Sequence, residues 1–298
     1  METDHISVCI CTFKRPELLS RLLDGLKDQH TEGMFSYSVV VADNDCTESA
    51  RNVVSNFAAT SPFPVRYCVE PRQNIAMARN KALENAEGSY IAFIDDDEFP
   101  RRDWLVLLFK TCNLNGVAGV LGPVKPLFQH DPPKWVLEGN FFDRPSHRTG
   151  YRMKWTETRT GNTLFRRRIL DGSPEAFRPE FDAAGEDMDF FRRMIDKGHL
   201  FVWCDEAAVY EDVPPWRCEK RSLLKRALLR GSNFYKHPSG RMQSLARSTL
   251  AVPVYTLALP VLLALNQYLF LSYLIKLFDH VSRIASFLGW KMLPKRPA

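Results

Sequence analysis

Four consecutive acidic residues, Asp95, Asp96, Asp97 and Glu98, follow an apolar segment that Gly88 precedes. The apolar, β-branched and aromatic composition of that segment predicts a buried strand. Alternate side chains of a strand share a face, so Asp95 and Asp97 are expected to point together and Asp96 away. Crowded carboxylates require a cation nearby, and oxygen ligands suit Mg²⁺ or Mn²⁺. The alternative is a solvated acidic turn that caps a helix.

Other polar residues follow strands predicted earlier in the chain. Thr12 and Arg15 follow a strand over 5–12, and Asp43 and Asp45 follow a strand over 37–42. Helices of about ten to fourteen residues alternate with these strands, which predicts a mostly parallel α/β sheet flanked by helices. In such sheets, ligands bind beyond the carboxyl ends of the strands. We therefore expect these polar residues to lie at one edge of the sheet.

Two more segments carry polar residues that could do chemistry. Thr160-Gly161-Asn162 precedes a predicted strand over 163–166, and Gly185-Glu186-Asp187 opens a predicted helix over 188–197. The helix dipole favours acids at this end, which accounts for one of Glu186 and Asp187 but not for both. The chain lacks the glycine patterns of dinucleotide-binding and P-loop proteins, so a site of acids with cation-bridged phosphates is the simpler interpretation.

The order and spacing of these motifs resemble the inverting family 2 glycosyltransferases of the GT-A fold. The matching motifs are Cys11-Thr12-Phe13-Lys14-Arg15-Pro16, Val41-Ala42-Asp43-Asn44, Asn74 to Asn80, the acids Asp95 to Asp97, Thr160-Gly161-Asn162 and Gly185-Glu186-Asp187. Within that family, the chain is most similar to bacterial exopolysaccharide transferases of the succinoglycan glucosyltransferase type. The resemblance covers about residues 6–231.

The resemblance implies a role for each matching residue. Residues implied in binding the nucleotide or the donor sugar are Thr12, Arg15, Asp43, Arg79, Asp95, Asp96, Asn162 and Glu186. Asp97 and Asp95 would bind Mg²⁺ or Mn²⁺, and Asp187 would be the general base that deprotonates the acceptor. Many relatives carry His where this chain has Glu211, an oxygen ligand that could also contact the metal. Ala76 replaces the usual glycine, a change that the motif is expected to tolerate.

The C-terminal part of the chain differs in composition from the rest. From Trp216 onward there are 14 Lys/Arg and 2 Asp/Glu, whereas the 28 residues between Arg247 and Lys276 carry no charge. Pro253, Pro260 and Asn266-Gln267 are expected to split this stretch into two apolar pieces. We therefore predict a catalytic domain over 1–215 and a basic, hydrophobic, helical region over 216–298 that associates with membranes.

Basic residues on both sides of the apolar stretch oppose a single crossing of the membrane. They favour a re-entrant or in-plane hairpin, and hence a peripheral or monotopic protein on the cytoplasmic face of the inner membrane. An oligomer interface or a helical cap on the sheet is the alternative. The basic residues bracket an apolar run instead of interleaving with aromatics, so no nucleic-acid partner is expected. The seven cysteines contain no CxxC pair and suit reduced thiols.

These observations predict a metal-dependent, inverting glycosyltransferase. Its partners would be a nucleotide-sugar donor, with UDP-glucose favoured by the resemblance alone, and a lipid-linked saccharide acceptor at the cytoplasmic membrane leaflet. A polyprenyl-phosphate glycosyltransferase on the same fold is one alternative. A catalytically silent saccharide- or nucleotide-binding partner in an assembly complex is another, although the retained acids argue against it.

Overall fold

The computed structural model describes residues 4–171, 175–181, 185–234 and 241–290. In the described part, the chain separates into two compact units. The first unit consists of Met1–Lys125 and Arg144–Glu211, and the second of Pro126–Asp143 and Asp212–Ala298. The predicted boundary between residues 215 and 216 lies close to the point, between Glu211 and Asp212, where the chain passes from the first unit to the second for the last time. The prediction did not assign the inserted segment 126–143 to the C-terminal region.

Strands and helices alternate in the first half of the chain, as their apolar periodicity predicts. In order, they are β1 (Asp4–Thr12), α1 (Pro16–Leu26), β2 (Phe35–Asp43), α2 (Arg51–Ala58), β3 (Val65–Val69), α3 (Ile75–Glu84), β4 (Tyr90–Phe93), β5 (Glu98–Pro100) and α4 (Trp104–Leu114). Pro16 begins α1, where its missing N–H is not needed. The Asn74 side chain caps α3 by accepting from the N–H groups of Ala76 and Met77.

The remaining elements are shorter until the C-terminal helices. They are β6 (Gly119–Leu121), β7 (Val124–Phe128), α5 (Lys134–Glu138), β8 (Thr163–Arg166), α6 (Glu186–Asp196), β9 (Phe201–Trp203), β10 (Val209–Val213), α7 (Lys220–Phe234), α8 (Arg241–Leu265) and α9 (Gln267–Phe287).

Seven strands form the main sheet, in the order β3-β2-β1-β4-β8-β6-β9. The pairings of β1 with β2 and β4, of β2 with β3 and of β6 with β9 are parallel, whereas β8 runs antiparallel to both of its neighbours. Thr163, the first residue of β8, therefore pairs with Phe93 and Leu121 at the ends of β4 and β6. The reversal brings the segment before β8 to the edge where the parallel strands end, and the mostly parallel sheet is confirmed.

Gly122 and Pro123 separate β6 from β7, so these two segments do not form one strand. Pro123 lacks a ladder donor. A Cβ on Gly122 would lie 2.6 Å from Asn162 Nδ2 and would also collide with the Ala207 carbonyl. The small second sheet has the order β5-β10-β7, with β5 and β10 antiparallel.

Apolar layers cover both faces of the main sheet. One layer contains the buried faces of α1, α2 and α4, including Leu19, Phe57 and Trp104. The other contains α3 and α6, including Phe190 and Phe191. All seven cysteines are unpaired thiols, and Cys46 is the exposed one. The predicted reduced state is therefore consistent with the fold.

In the second unit, α8 continues through Pro253 and Pro260, so the predicted break at these prolines is wrong, whereas the predicted break at Asn266-Gln267 is confirmed. The helix ends only at Asn266, whose side chain caps α9 by accepting from the Tyr268 N–H. Among the described residues, Met242–Leu265 is the one helix long and apolar enough to cross a membrane, and 6% of its most apolar window is buried.

Two glycines with positive φ allow a matched test of close packing at the sheet. Gly88 (φ 79°) precedes β4, and a Cβ there would lie 2.5 Å from the His5 carbonyl oxygen, whereas Gly33 (φ 70°) faces open space. We expect both alanine variants to lose about 1–2 kcal/mol of stability to left-handed strain. Gly88→Ala should lose a further 1–3 kcal/mol or so to the collision, as measured by urea unfolding. Equal losses in the two variants would contradict this packing.

Candidate active site

The acidic turn, defined as Asp95–Asp97, lies between β4 and β5 and is held by residues that follow β1. Thr12 Oγ1 donates to Asp96 Oδ2 over 2.8 Å. Arg15 Nη1 lies 3.1 Å from both Asp96 Oδ1 and Asp97 Oδ2. The acids lie in a turn beyond β4, which ends at Phe93, so the strand period from which their faces were predicted does not apply to them. One guanidinium therefore neutralises two neighbouring carboxylates.

Burial and mutual repulsion raise the pKa values of the carboxyl groups in this turn. Burial, followed by the charges of Asp95 and Asp96, raises the pKa of Asp97 to about 7. Burial also raises the pKa of Asp96, while Arg15 and the Thr12 hydroxyl oppose that rise. Asp95 is the most accessible of the three, with 49% of its side chain exposed. The turn is thus short of positive charge, which is the electrostatic condition for attracting a cation.

Glu98 forms the floor of the acidic turn, a position that sequence analysis did not recognise. It is 1% exposed, and its Oε2 accepts from the backbone N–H of Asp95 over 3.1 Å. Burial and the Asp95 carboxylate raise the pKa of Glu98 well above its usual range. A Cβ on Gly161 would lie 2.6 Å from Glu98 Oε1 and 3.0 Å from Asp95 Oδ2, so only glycine allows this approach.

Asn162 supports the same region from inside the protein. Its amide donates to the Pro123 and Ala207 carbonyls, and its oxygen accepts from Trp104 Nε1, all within 2.8 Å. The residue is 0% exposed and has φ 58°. These contacts join the loop before β8 to α4 and to the segments after β6 and β9. They favour a structural role for this side chain over the predicted contact with a donor sugar.

Asp43 is likewise occupied by internal contacts. Its carboxylate accepts from the backbone N–H groups of Asp45 and Ala50 and from the Tyr67 hydroxyl, over 2.8–3.1 Å. The residue is completely buried at the end of β2. This geometry fixes the turn after β2 beside Thr12, with which Asp43 is in register. If Asp43 contacts the nucleotide, as the resemblance implies, its carboxylate does so while it also accepts these three hydrogen bonds.

Arg79 on α3 joins the acidic turn to α6. Its guanidinium forms an ion pair with Glu186, and its Nη2 lies 3.9 Å from Asp95 Oδ1. Arg79 and Glu186 are both buried. In the described part of the chain, Glu186 Oε2 has no hydrogen-bond partner. Glu186 thus holds the Arg79 guanidinium in position, and this guanidinium in turn neutralises the Asp95 carboxylate.

Asp187 is the next residue of α6 and is half-buried in its first turn. Its Oδ1 accepts from the Met188 N–H over 2.7 Å, a bond that anchors the carboxylate at the start of the helix. Gly185 precedes the helix with φ 100°, a backbone conformation that glycine adopts readily. The neighbouring acid Asp189 points elsewhere and pairs with Arg193 over 2.8 Å. Glu186 and Asp189 are buried, so Asp187 is the most exposed of the three acids in this turn.

Arg144 and Arg159 are cations of this site that the sequence analysis did not identify. Arg144 forms an ion pair with Glu211, which lies opposite Glu98 in the β5–β10 pairing. Burial, followed by the charge of Arg144, lowers the pKa of Arg159 to about 10. Among the described residues, no partner reaches Arg159 Nε. No sequence motif relates Arg144 and Arg159 to the acids, because the loops before β8 bring these arginines to the acids only in the folded protein.

The residues of the acidic turn fit a hard cation in one particular way. Within the described ranges, no group of three His, Cys, Asp or Glu side chains converges to hold a metal ion. Mg²⁺, however, is usually held by one or two carboxylates together with substrate phosphates and water. Asp95 and Asp97 supply such carboxylates, whereas Glu211 is already paired with Arg144. The donor set therefore suits a cation that binds together with a phosphate-bearing ligand.

Comparison with known proteins agrees with this geometry. The family described as Glycosyl transferase family 2 matches residues 7–172. The succinoglycan biosynthesis protein ExoM of Rhizobium meliloti (strain 1021) is 36% identical over 237 residues, which cover 77% of this chain and 74% of that protein.

Two solved structures share the fold. The mannosyltransferase PcManGT from Pyrobaculum calidifontis, in complex with GDP-Man and Mn²⁺, has a TM-score of 0.66 at 18% identity, covering 98% of this chain and 89% of its own. S. aureus TarS 1-349, in complex with UDP-GlcNAc, has a TM-score of 0.56 at 15% identity, covering 97% and 93%. The predicted GT-A fold is thereby confirmed.

The buried pair of Arg79 and Glu186 makes a stability test possible. Arg79→Met should destabilise the protein by about 3–5 kcal/mol, because the Glu186 carboxylate would be left buried without its counter-charge. The double variant Arg79→Met/Glu186→Leu should recover much of that loss. Arg66→Met is the control, since the Arg66–Glu87 pair is exposed and worth about 0–1 kcal/mol. Equal urea midpoints for Arg79→Met and Arg66→Met would contradict the assigned role.

The raised pKa of Asp97 predicts how stability depends on pH. The folded-state pKa of about 7 exceeds the usual 3.8, so the metal-free wild type loses stability as pH rises between those values. Asp97→Asn removes this titration. Its stability advantage should therefore widen by roughly 2 kcal/mol between about pH 5 and about pH 8. Asp24→Asn, at an exposed position, serves as control. If the difference in unfolding free energy between Asp97→Asn and wild type were the same at both pH values, the prediction would be contradicted.

Proposed function

The chain belongs to glycosyltransferase family 2 and is a glycosyltransferase, and from this premise we propose its reaction. It transfers a sugar, with inversion, from a nucleotide-sugar donor to a hydroxyl of a lipid-linked saccharide, and it requires Mg²⁺ or Mn²⁺. The observation that carries the proposal is the acidic turn, neutralised by Arg15 and Arg79. Arg79 also pairs with Glu186, the residue before Asp187, and the Asp187 charge acts on Asp95.

The donor is proposed from the partners of similar proteins. PcManGT was solved with GDP-Man and Mn²⁺, and TarS with UDP-GlcNAc, so the shared fold accepts different bases and sugars. UDP-glucose is proposed here because of the similarity to a succinoglycan biosynthesis protein, which also supports a role in exopolysaccharide synthesis. Thr12 and Arg15 would lie beside the nucleotide, since they surround Asp96 at the end of β1.

Charge neutralisation is the main task of the acidic turn. When bound, the cation supplies Lewis-acid stabilisation of the leaving diphosphate. Asp95 and Asp97 would hold it, because their side chains are more exposed than that of Asp96, which also accepts from the Thr12 hydroxyl. Arg15 would also contact the diphosphate once Asp97 turns toward the cation. Glu98 keeps the turn in position through the Asp95 N–H.

Asp187 acts on the acceptor. Its carboxylate takes the proton of the acceptor hydroxyl while that oxygen attacks the anomeric carbon. The bond from the anomeric carbon to the diphosphate breaks, and the nucleoside diphosphate leaves from the opposite face, which inverts the configuration. A single positioned base is sufficient for this displacement, so the paired carboxylic acids of glycoside hydrolases are not needed.

We place the reaction at the cytoplasmic face of the inner membrane, with the protein peripheral or monotopic. The apolar helix Met242–Leu265 and the basic residues that flank its uncharged stretch support this location. A lipid-linked saccharide presents its phosphates at that surface, where Lys and Arg side chains attract them together with anionic lipids.

Replacement of the base is the sharpest test of the acceptor. Asp187→Asn should lower the rate of sugar transfer by about 10²–10⁴-fold, because a saccharide hydroxyl needs deprotonation during attack. Asp196→Asn, the same change at the exposed end of α6, should transfer at the wild-type rate. The assay follows labelled sugar from the donor into extractable lipid-linked product, with equal donor binding verified by calorimetry.

Two other outcomes identify the alternatives. Near-normal transfer by Asp187→Asn would contradict a hydroxyl acceptor and favour a polyprenyl phosphate, whose oxygen is already ionised. Nucleotide binding without transfer by the wild type, on membranes that supply the full set of acceptor lipids, would favour a silent binding partner.

A further inference from the structure

Arg159 lies on a short stretch of chain between α6 and the acidic turn. Two residues before it, the 3₁₀ turn Trp155–Glu157 ends, and this turn packs against α6, the helix that carries the proposed base. Two residues after it, a Cβ on Gly161 would lie 2.6 Å from Glu98 Oε1 and 3.0 Å from Asp95 Oδ2. The backbone of Arg159 is therefore within two residues of segments that contact both parts of the site.

Hydrogen bonds on both sides fix this stretch of chain. On one side, Thr158 Oγ1 donates to the Trp155 carbonyl over 2.6 Å. On the other side, the buried side chain of Asn162 makes the three hydrogen bonds described above. The Arg159 side chain thus extends from a backbone that is already ordered, and a ligand that binds to it has little loop ordering to offset.

The protein satisfies the Arg159 guanidinium poorly. Its Nε is buried, and in the described part of the chain no hydrogen-bond partner reaches it. The hydroxyl of the next residue, Thr160, is likewise without a partner among the described residues, and Thr160 is 1% exposed. Burial, followed by the charge of Arg144, lowers the pKa of Arg159 to about 10. Buried polar groups without partners are uncommon in folded proteins, and a perturbed cation beside a site is typical of a functional position.

The nearby carboxylates are committed to other groups. Glu211 forms an ion pair with Arg144, and Glu98 accepts from a backbone N–H of the acidic turn. The charges of Glu98, Glu211 and Asp187 act on Arg159, while the charge of Arg144 opposes them. Arg144 and Arg159 are thus two cations that repel each other at the edge of the site, an arrangement that a bound anion stabilises.

We propose that Arg159, with Arg144 beside it, binds a phosphate group of a substrate. A guanidinium group presents its N–H donors in a planar fork that matches phosphate oxygens, and the resulting hydrogen bonds are strengthened by charge. This inference rests on the proposed function, in which both the donor diphosphate and the lipid-linked acceptor bring phosphates to the site. It adds a substrate-binding residue that none of the sequence motifs contains.

The test measures binding of inorganic pyrophosphate to the full-length protein by calorimetry, with Mg²⁺ or with EDTA. Pyrophosphate carries no base, sugar or lipid, so its affinity reports the phosphate contacts alone. Arg159→Gln should bind it about 10- to 100-fold more weakly than wild type, which is the loss expected for a hydrogen bond to a charged group. Arg159→Lys should lose less, because it keeps the charge without the fork. Arg152→Gln, an exposed change on the same loop before β8, should bind as wild type does.

The metal dependence of this loss identifies the source of the phosphate. If the affinity that Arg159 supplies requires Mg²⁺ and disappears in Asp97→Ala, the phosphate is the donor diphosphate held at the acidic turn. If that affinity persists in EDTA and in Asp97→Ala, the phosphate belongs to the lipid-linked acceptor. Both results support binding of a phosphate by Arg159.

Three results of the same titrations would overturn the proposal. The first is equal affinity of Arg159→Gln and wild type under both conditions. The second is the absence of pyrophosphate binding by wild type. The third is an equal loss in Arg159→Gln and Arg152→Gln, which would indicate unspecific attraction by basic residues.

Unfolding in urea separates phosphate binding from a structural role. Because Arg159 Nε has no partner among the described residues, Arg159→Gln should unfold without pyrophosphate at the wild-type urea concentration or above it. Pyrophosphate should then stabilise wild type more than the variant, since a ligand stabilises the state that binds it. Midpoints well below wild type for both Arg159→Gln and Arg159→Lys would assign the side chain a structural role and overturn the proposal.

Neither measurement requires catalysis, so this inference and the proposed reaction can fail separately. Pyrophosphate binding that depends on Arg159, in a protein that transfers no sugar, would refute the reaction and retain the phosphate site. Normal sugar transfer by wild type, together with unchanged pyrophosphate binding by Arg159→Gln, would refute the phosphate site and retain the reaction.

Discussion

The neutralisation of crowded carboxylates at one edge of the main sheet is the constraint on which the site depends. Asp95, Asp96 and Asp97 follow one another in a turn where burial disfavours their charged forms. The protein meets this with guanidinium groups from separate parts of the chain, Arg15 before α1 and Arg79 on α3. Because the acids and these cations are distant in sequence, the turn is stable only in the completed fold.

Uncharged contacts beneath the turn hold it in shape. Glu98 bonds to the Asp95 backbone, Gly161 allows close approach to both, and Asn162 ties the neighbouring loop to Trp104. The antiparallel strand β8 makes these contacts possible, since its first residue lies where β4 and β6 end. The motif Thr160-Gly161-Asn162 thus acts chiefly as the support of the acidic turn. In the proposed reaction, the acids of the turn and the neighbouring arginines contact the substrates.

Much of this arrangement could be predicted from local sequence patterns. Alternating strands and helices predicted a mostly parallel sheet, and the rule that ligands bind at carboxyl ends of strands pointed to the edge where Thr12 and Arg15 contact the acidic turn. The face of each acid could not be predicted, because β4 stops at Phe93 and the period of a strand no longer applies. The inward orientation of Asn162 depends on its distant partners Pro123 and Ala207. Arg144 and Arg159 lack any spacing that links them to the acids. The helix α8 likewise continues through Pro253 and Pro260, although proline usually breaks or kinks a helix.

We propose that this turn binds a cation together with a nucleotide-sugar and activates the sugar for transfer. The most direct test measures release of nucleoside diphosphate from a panel of sugar nucleotides, with Mn²⁺, Mg²⁺ or EDTA, on membranes that supply acceptor lipids. We expect release from one preferred donor, and we expect this release to disappear with EDTA and in Asp97→Ala. Release that is undiminished by EDTA and by Asp97→Ala, or the absence of release from every donor despite nucleotide binding, would contradict it.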